Sequence, residues 1–274
     1  SSADWELRKF HAGAGAIPYT LQKMDQTFFL DDRGITSIFT VQYFGDFQSA
    51  VASDKIDPYI QSKKDNATDS IKVRAKNQYR LYFDDKTGVE MTFINKKNQG
   101  LMPFTLSHQI NCTVSAEDAN GFEVLYGGFD DGYVRRLDSG TSFDGETVDS
   151  FIRTTYYHYN SPGMRKRFRE LSLEINADTS TTLTVTPSYD FGGTYTPKTS
   201  PVSSSYSVTV AADQWSEADI SNSSTGITVV ASERVRINGI GTNMGFIISN
   251  SSIYDKPITL QGGIVEFSNR GVRR

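Results

Sequence analysis

Three acidic turns carry the residues of this sequence that are best placed for chemistry. Asp130 and Asp131 precede Gly132 in FDDG, and similar acidic pairs come before Gly34 and Gly88. Two carboxylates a few ångströms apart could serve a metal site or a glycosidase. These turns lack the alternating oxygen ligands and distal Glu of a calcium loop. Because Asp tolerates a positive φ and Gly adopts it freely, the pattern favours hairpin turns over an active site.

No other catalytic or metal-binding pattern stands out. The histidines, His11, His108 and His158, have no second ligand at metal spacing. Nucleophile-elbow, zincin and phosphate-loop motifs do not occur in the sequence. His158 lies among tyrosines, which favours a packed ring over a catalytic base. We therefore predict no catalytic residue, no cofactor and no metal, and we expect a non-enzymatic protein.

Composition excludes several broad classes of protein. The chain has 274 residues, a net charge of −4 and 37% apolar residues, which is unlike a disordered or strongly nucleic-acid-binding chain. The single cysteine, Cys112, excludes an internal disulfide, and its strand-like setting predicts a buried thiol. No apolar run is long enough to span a bilayer, and the first residues do not have the pattern of a signal peptide.

The fold class follows from an apolar period of two along most of the chain. A short helix or turn is expected within residues 53–66, limited by Pro58, and nearly everything else predicts an all-β protein. Units beginning at Gln26, Gln78 and Phe122 each read as an aromatic strand, an acidic turn and a second strand. Their spacing of roughly 45 to 55 residues is that of a four-stranded propeller blade.

The sequence pattern changes after Asp138, where the polar stretch SGTSFDGETVDS interrupts the repeat of strands and acidic turns. The part that follows has short strand-like runs with Thr- and Ser-rich turns, typical of a β-sandwich or jelly roll. We predict propeller-like blades over residues 1–138, a linker over 139–150 and a β-sandwich over 151–274.

The strongest charge feature is RKRFRELSLEI. Arg165, Arg167 and Arg169 share one strand parity, yet the apolar residues from Leu171 onward continue that same parity, which predicts a bulge or a strand that emerges from the core. A charge-guarded edge strand, a protein–protein contact and, third, a DNA contact are the open interpretations. The tail adds two further candidate interface residues, Arg273 and Arg274.

The segment YGGFDDGYVRRLDSGTSFDGETVDSFIRTTYYHYNSPGMRKRFRELSLEI resembles tail and neck proteins of tailed bacteriophages. In those proteins the last blade ends in a similar DGYV…LDSGTSFDG strand and passes through YHY.SP..RKRFR into a β-sandwich. The ending RVRINGIGTNMGFIISN…GGIVEFSNRGVRR and the upstream blade pattern are also similar, so the resemblance covers most of the chain.

This resemblance implies a ring-forming tail tubular or nozzle protein with no catalytic residues. We expect a homo-oligomer that contacts other tail proteins, through which DNA passes without tight binding, located in the virion and assembled in the host cytoplasm without membrane insertion. A closed propeller usually needs at least four blades, and about three are visible here. The missing initial Met agrees with a C-terminal portion of a longer protein; otherwise, strands from elsewhere complete the ring.

Two alternative functions stay open at this point. The aromatic cluster Tyr156, Tyr157 and Tyr159 could stack on sugar faces, which indicates a carbohydrate-binding or receptor-binding β module of a phage or bacterial surface, or a glycan hydrolase. A propeller associated with a bacterial surface or pilus is the third interpretation.

Overall fold

The computed structural model describes residues 15–38, 51–95, 97–177, 181–192, 206–210, 231–252 and 258–272. Over these residues the protein is all-β, with several small antiparallel sheets and one short α-helix. The chain divides into two compact units, residues 1–139 and 140–274.

Within the described ranges of the first unit, three antiparallel sheets follow one another along the chain. The first sheet is formed by β1 (Gln22–Lys23), β2 (Thr27–Asp31) and β3 (Gly34–Ser37). The second is formed by β4 (Ala67–Val73), β5 (Gln78–Phe83), β6 (Thr87–Ile94) and β7 (Lys97–Thr105). The third is formed by β8 (Ile110–Glu117), β9 (Glu123–Phe129) and β10 (Val134–Leu137).

The second sheet is covered on both faces, because every residue of β5 is buried. Tyr79, Leu81 and Phe83 pack into a core shared with the first sheet. Tyr82, on the opposite face, packs into a second core with the third-sheet residue Leu125. Alternating side chains therefore stack the three sheets face to face in chain order.

Each predicted acidic turn joins two strands of a β-hairpin: β2 to β3, β5 to β6, and β9 to β10. Gly34 and Gly132 have the expected positive φ, at 135° and 84°. In the middle hairpin Lys86 takes the positive φ, at 66°, and Gly88 is instead the second residue of the following strand. Gly88 is needed there for space, since a Cβ would lie 2.3 Å from the Phe104 ring.

The expected short helix is confirmed as α1 (Asp57–Lys63), flanked by single 3₁₀ turns at Asp54–Ile56 and Lys64–Asn66. Pro58 lies in its first turn, where a missing N–H leaves no intrahelical hydrogen bond unmade. Ile60 is fully buried and anchors the helix in the core of the first two sheets.

In its described residues, the second unit has two antiparallel sheets that share one hydrophobic core. The strand order of the first is β11 (Val148–Arg153), β16 (Met244–Ser252), β13 (Thr181–Tyr189) and β14 (Tyr206–Val210). That of the second is β15 (Ala231–Gly241), β12 (Met164–Ala177) and β17 (Ile258–Val272). Leu171 and Leu173 of β12 meet Leu183 and Val185 of β13 in the shared core.

The predicted irregularity in the arginine strand is a bulge. The register of β12 shifts between Phe168 and Glu170 against both of its neighbours. Arg169 is the extra residue against β17, whereas two residues of β15, Ile237 and Asn238, lie opposite it on the other side. The bulge reverses strand parity, which lets Phe168 and Leu171 both point into the core.

The prediction of a buried Cys112 is wrong, because the residue is exposed. Cys112 lies opposite Gly128 in the third sheet. On the same face of the third sheet as Cys112 lies Val114, which is 56% exposed. The buried Leu125 lies on the other face of that sheet. The apolar run around Cys112 does not distinguish a sheet face that packs on a neighbour from one that lies open.

Candidate functional site

The carboxylates of the acidic turns bond to their own turns. Asp31 Oδ1 accepts the N–H groups of Arg33 and Gly34 at 2.9 and 3.1 Å. Asp85 Oδ1 accepts the N–H of Thr87 at 3.2 Å, and Asp131 Oδ1 accepts the N–H of Tyr133 at 3.1 Å. Such bonds to the backbone two residues on stabilise turns.

Asp131 also holds Arg135 in a bidentate ion pair, with distances of 2.9 and 2.7 Å. The hydrogen bond from Arg135 lowers the pKa of Asp131 to about 2, so this carboxyl is unsuited to proton transfer near neutral pH. His108 Nδ1 lies 3.6 Å from Asp130 and 3.9 Å from Asp131. In the part of the chain that the structure describes, no group of three metal-ligating side chains occurs here or elsewhere.

A surface rich in arginine is the main unexplained feature of the second unit. We call it the arginine face, and it is the outer side of the sheet β15-β12-β17. Lys166 and Phe168 are fully buried, so Arg165 and Arg167, which alternate with them, point to the opposite side. The bulge residue Arg169 is exposed beside them.

Neighbouring strands add arginines that the sequence interpretation did not group with these three. Arg236 pairs across the sheet with Glu170, and Arg234 pairs with Ser172. Arg270 of β17 is exposed. It lies next to the residue opposite Arg165, at a point where the pairing of β12 with β17 is irregular. In the sequence, Arg234 and Arg236 alternate with the apolar residues Val235 and Ile237, and this pattern was the available signal. The strand order was still needed to place β15 next to β12.

The arginine face has more positive groups than negative ones to balance them. Arg234 lies 3.7 Å from Glu170. Five other arginines form no ion pair with any residue that the structure describes: Arg165, Arg167, Arg169, Arg236 and Arg270. A guanidinium offers five donors in a planar fork that matches carboxylates and phosphates, so this face suits an anionic partner surface. The other two predicted interface residues, Arg273 and Arg274, lie outside the described residues.

Lys166, beneath this face, has a structural role. Its Nζ donates to the backbone carbonyls of Ser161, Met164 and Thr242 at 2.5, 3.2 and 3.1 Å. Desolvation lowers the pKa of this fully buried amine below its ordinary value. These bonds tie the loop before β12 to the turn between β15 and β16, and they use all three ammonium donors.

The tyrosine cluster is divided among different environments. Tyr159 packs against Phe168 and Phe267 in the core, with ring centroids 5.7 and 5.3 Å apart. Tyr156 shares a hydrogen bond of 2.8 Å with Ser188, and only Tyr157 is largely exposed, at 57%. The three rings therefore do not form one open platform for a sugar. His158 packs edge-on against Phe191, at 5.8 Å, as its aromatic setting predicts.

Polar contacts between the second and third sheets were not predicted from the sequence. Asp138, just after β10, accepts two hydrogen bonds from the buried Arg80 of β5 at 2.7 and 2.8 Å. Glu123 of β9 accepts the N–H groups of Arg74 and Ala75 in the β4–β5 turn at 3.0 and 2.7 Å. Burial opposes the charge of Glu123, but hydrogen bonds, first those from Ala75 and Ser115, outweigh it and lower its pKa.

Comparison with known proteins identifies no family: no family model matches the sequence, and no curated protein is significantly similar to it. Among the helices that the structure describes, none is long and apolar enough to cross a membrane.

Proposed function

We propose that this protein is a non-enzymatic structural component of the tail or neck of a tailed bacteriophage, of the nozzle or tail tubular type. It assembles with identical copies into a ring through which DNA passes without tight binding, and it is located in the virion. The arginine face carries this proposal. The resemblance of residues 127–174 to phage tail proteins supplies the biological setting.

The finer fold is part of the same proposal: propeller-like blades in the first unit and a β-sandwich in the second. Face-to-face stacking of three hairpin-containing sheets supports the blades. Their first strands are neighbours, since Gln22 Nε2 donates to Ser70 O at 2.7 Å and Thr68 Oγ1 donates to Ile110 O at 2.8 Å. The core shared by the two sheets of the second unit supports the sandwich.

The arginine face acts in assembly by electrostatic pairing. Arg165, Arg167 and Arg169 lie on one strand, and their guanidinium groups pair with carboxylates of a neighbouring subunit. Cyclic symmetry repeats this contact at every interface, so a modest area per subunit yields a stable ring. The interface would be mostly polar and sensitive to salt, since exposed charges are screened over about 8–10 Å at physiological ionic strength.

Charge reversal tests this function. Arg165, Arg167 and Arg169 are changed together to Glu, and the oligomer is measured by native mass spectrometry and electron microscopy. We expect rings in the wild type and monomers in the variant. The matched control changes Lys23, Lys55 and Lys97 of the first unit to Glu, which shifts the net charge equally and should leave the rings intact.

Rings of unchanged size in the arginine variant would contradict the role of this face. A wild-type protein that stays monomeric at all concentrations would contradict ring formation itself. The conduit function further predicts no tight duplex binding by the isolated protein at physiological salt, consistent with the net charge of −4. A salt-sensitive affinity in the submicromolar range would instead assign the arginine face to DNA.

A further inference from the structure

Two asparagines of this chain directly precede a glycine, and the structure places them in opposite settings. Asn120 and Gly121 lie in the turn between β8 and β9, whereas Asn238 and Gly239 lie within β15. Asn–Gly pairs are prone to lose the side-chain amide, because glycine has no side chain to shield its backbone nitrogen. The sequence offers two equal candidates for this chemistry, so the local structure decides between them.

The β8–β9 turn leaves both reacting groups of the first pair accessible. Every residue of this turn, from 118 to 122, is exposed. Gly121 has a φ of 80°, and a Cβ at this position would meet nothing within 4 Å. The Asn120 carboxamide forms no hydrogen bond with any residue that the structure describes. No neighbouring side chain therefore shields the carboxamide carbon or the glycine nitrogen.

The hydrogen bonds that shape this turn converge on Asp118. Its carbonyl oxygen accepts the N–H of Gly121 at 3.0 Å. Its Oδ1 accepts the N–H groups of Asn120 and Phe122 at 2.8 and 2.9 Å. Because these bonds are local and exposed to solvent, opening them frees the Gly121 nitrogen at a small cost in free energy.

The second Asn–Gly pair is held in a packed strand. Gly239 is buried and lies opposite Phe168 of β12. A Cβ at Gly239 would lie 1.9 Å from the Tyr189 ring, so the backbone packs directly against an aromatic side chain. Reaction at Asn238 requires this backbone to turn out of the strand, which would disrupt the core of the second unit. Opening therefore needs much more free energy here than in the β8–β9 turn.

We propose that Asn120 is a site of spontaneous deamidation, with water as the co-reactant. The Gly121 backbone nitrogen loses its proton and forms a bond to Cγ of Asn120. The bond from Cγ to the side-chain nitrogen breaks, and ammonia leaves with that proton. The cyclic imide then takes up a water molecule and opens at either carbonyl, which gives aspartate or isoaspartate.

This reaction changes both the charge and the geometry of the turn. It creates a carboxylate close to Asp118, and repulsion between like charges opposes the compact turn. Isoaspartate also inserts an extra methylene into the main chain, so the bond from Gly121 N–H to Asp118 O loses its turn geometry. Deamidation is therefore expected to loosen the end of the β8–β9 hairpin.

Peptide mapping by mass spectrometry of the folded full chain, incubated at mildly alkaline pH, tests the proposal. Deamidation raises the mass of a peptide, whereas isomerisation at an Asp–Gly pair leaves it unchanged. We expect Asn120 to be converted at least about tenfold faster than Asn238, because the exposed turn opens far more readily. In urea, where both sites are unfolded, the two rates should become nearly equal.

Equal rates in the folded protein, faster conversion of Asn238, or no conversion of Asn120 would overturn the proposal. A difference in rate that persists in urea would also overturn it, because the fold would then not be its cause. None of these measurements depends on ring assembly, so they test this site independently of the function proposed above.

Two serine substitutions provide a matched control. Asn120→Ser removes the carboxamide and should remove most of the isoaspartate that an isoaspartyl methyltransferase labels in the aged folded protein. Asn238→Ser, at the packed site, should leave this labelling unchanged. Equal labelling of the two variants, or the opposite order, would contradict the assignment of Asn120.

Discussion

Replacing Asp138 with Asn is expected to weaken the attachment of the third sheet to the second. The Asp138 carboxylate accepts two hydrogen bonds from Arg80, at 2.7 and 2.8 Å, and one from Lys76 at 2.7 Å. Asn keeps one of the two acceptor oxygens. It also tolerates the left-handed backbone at this position, where φ is 54°, so the substitution removes charge without adding strain.

The expected loss is about 2 kcal/mol of unfolding free energy. A hydrogen bond to a charged group contributes about 1.5–3 kcal/mol, and the more exposed Lys76 pair adds at most about 1 kcal/mol. Arg80 keeps its bonds to Gln78 and its ion pair with Glu90 at 3.4 Å. Because the guanidinium is not left uncompensated, the loss stays below the roughly 3–5 kcal/mol of a fully broken buried pair.

The effect of Asp138 also depends on pH. Burial opposes its charge, but the hydrogen bonds from Arg80 and Lys76 outweigh burial and lower its pKa below the ordinary 3.8. A lowered pKa stabilises the folded protein above the unfolded value, and this contribution disappears as the pH falls through the folded value. The difference in unfolding free energy between the wild type and the Asn variant should therefore be largest near neutral pH and should decrease below about pH 3.8.

Urea denaturation followed by circular dichroism measures the loss, and hydrogen exchange of β9 and β10 peptides assigns it to the first unit. The control is Asp130→Asn, the same chemical change at a carboxyl that is 41% exposed and lies 3.6 Å from His108. We expect this control to stay within about 0.5 kcal/mol of wild type. If both variants lose the same stability, or if the Asp138 effect persists unchanged in acid, the reasoning is refuted.

Two further substitutions test the second unit. Gly239→Ala should lower stability by about 1–3 kcal/mol because its Cβ would lie 1.9 Å from the Tyr189 ring, which is stacked on Phe168. In Gly263→Ala the added Cβ would lie 3.5 Å from its nearest neighbour, the Leu173 side chain, so this control should leave stability almost unchanged. Equal melting temperatures for the two variants would contradict the packing at Gly239. Lys166→Met should cost about 1–3 kcal/mol in urea denaturation by removing three hydrogen bonds to backbone carbonyls. Arg165→Met, on the outer face, should cost less than 0.5 kcal/mol or so, and a reversed order would refute the structural role of Lys166.

Much of the local structure could be predicted because it depends on short-range geometry. The acidic turns join hairpins since Asp accepts backbone N–H groups two residues on and Gly permits a positive φ. Arg167 and Leu171 share one strand parity, which indicated either a bulge or a strand that emerges from the core, because a regular strand would place these charged and apolar residues on the same face. Pro58 limited the segment around it to a short helix or turn. Each inference needs only a few neighbouring residues.

The candidate site was predicted only in part, because its remaining members depend on strand order. Arg165, Arg167 and Arg169 could be grouped by parity, but Arg234 and Arg236 join them only through the pairing of β15 with β12. Cys112 was misassigned for a related reason, since alternation does not tell which sheet face meets a neighbour.

By itself, the sequence determined the all-β class, the hairpins and the presence of an irregularity in the arginine strand, because backbone sterics and side-chain period act within a few residues. Only the tertiary structure decided that Asp138 clamps Arg80, 58 residues away, and that β10 ends as a sheet edge in the described part of the chain. Ion pairs between distant strands and unpaired edges depend on which strands become neighbours. That choice is made by the packing of whole sheets, and no local pattern encodes it.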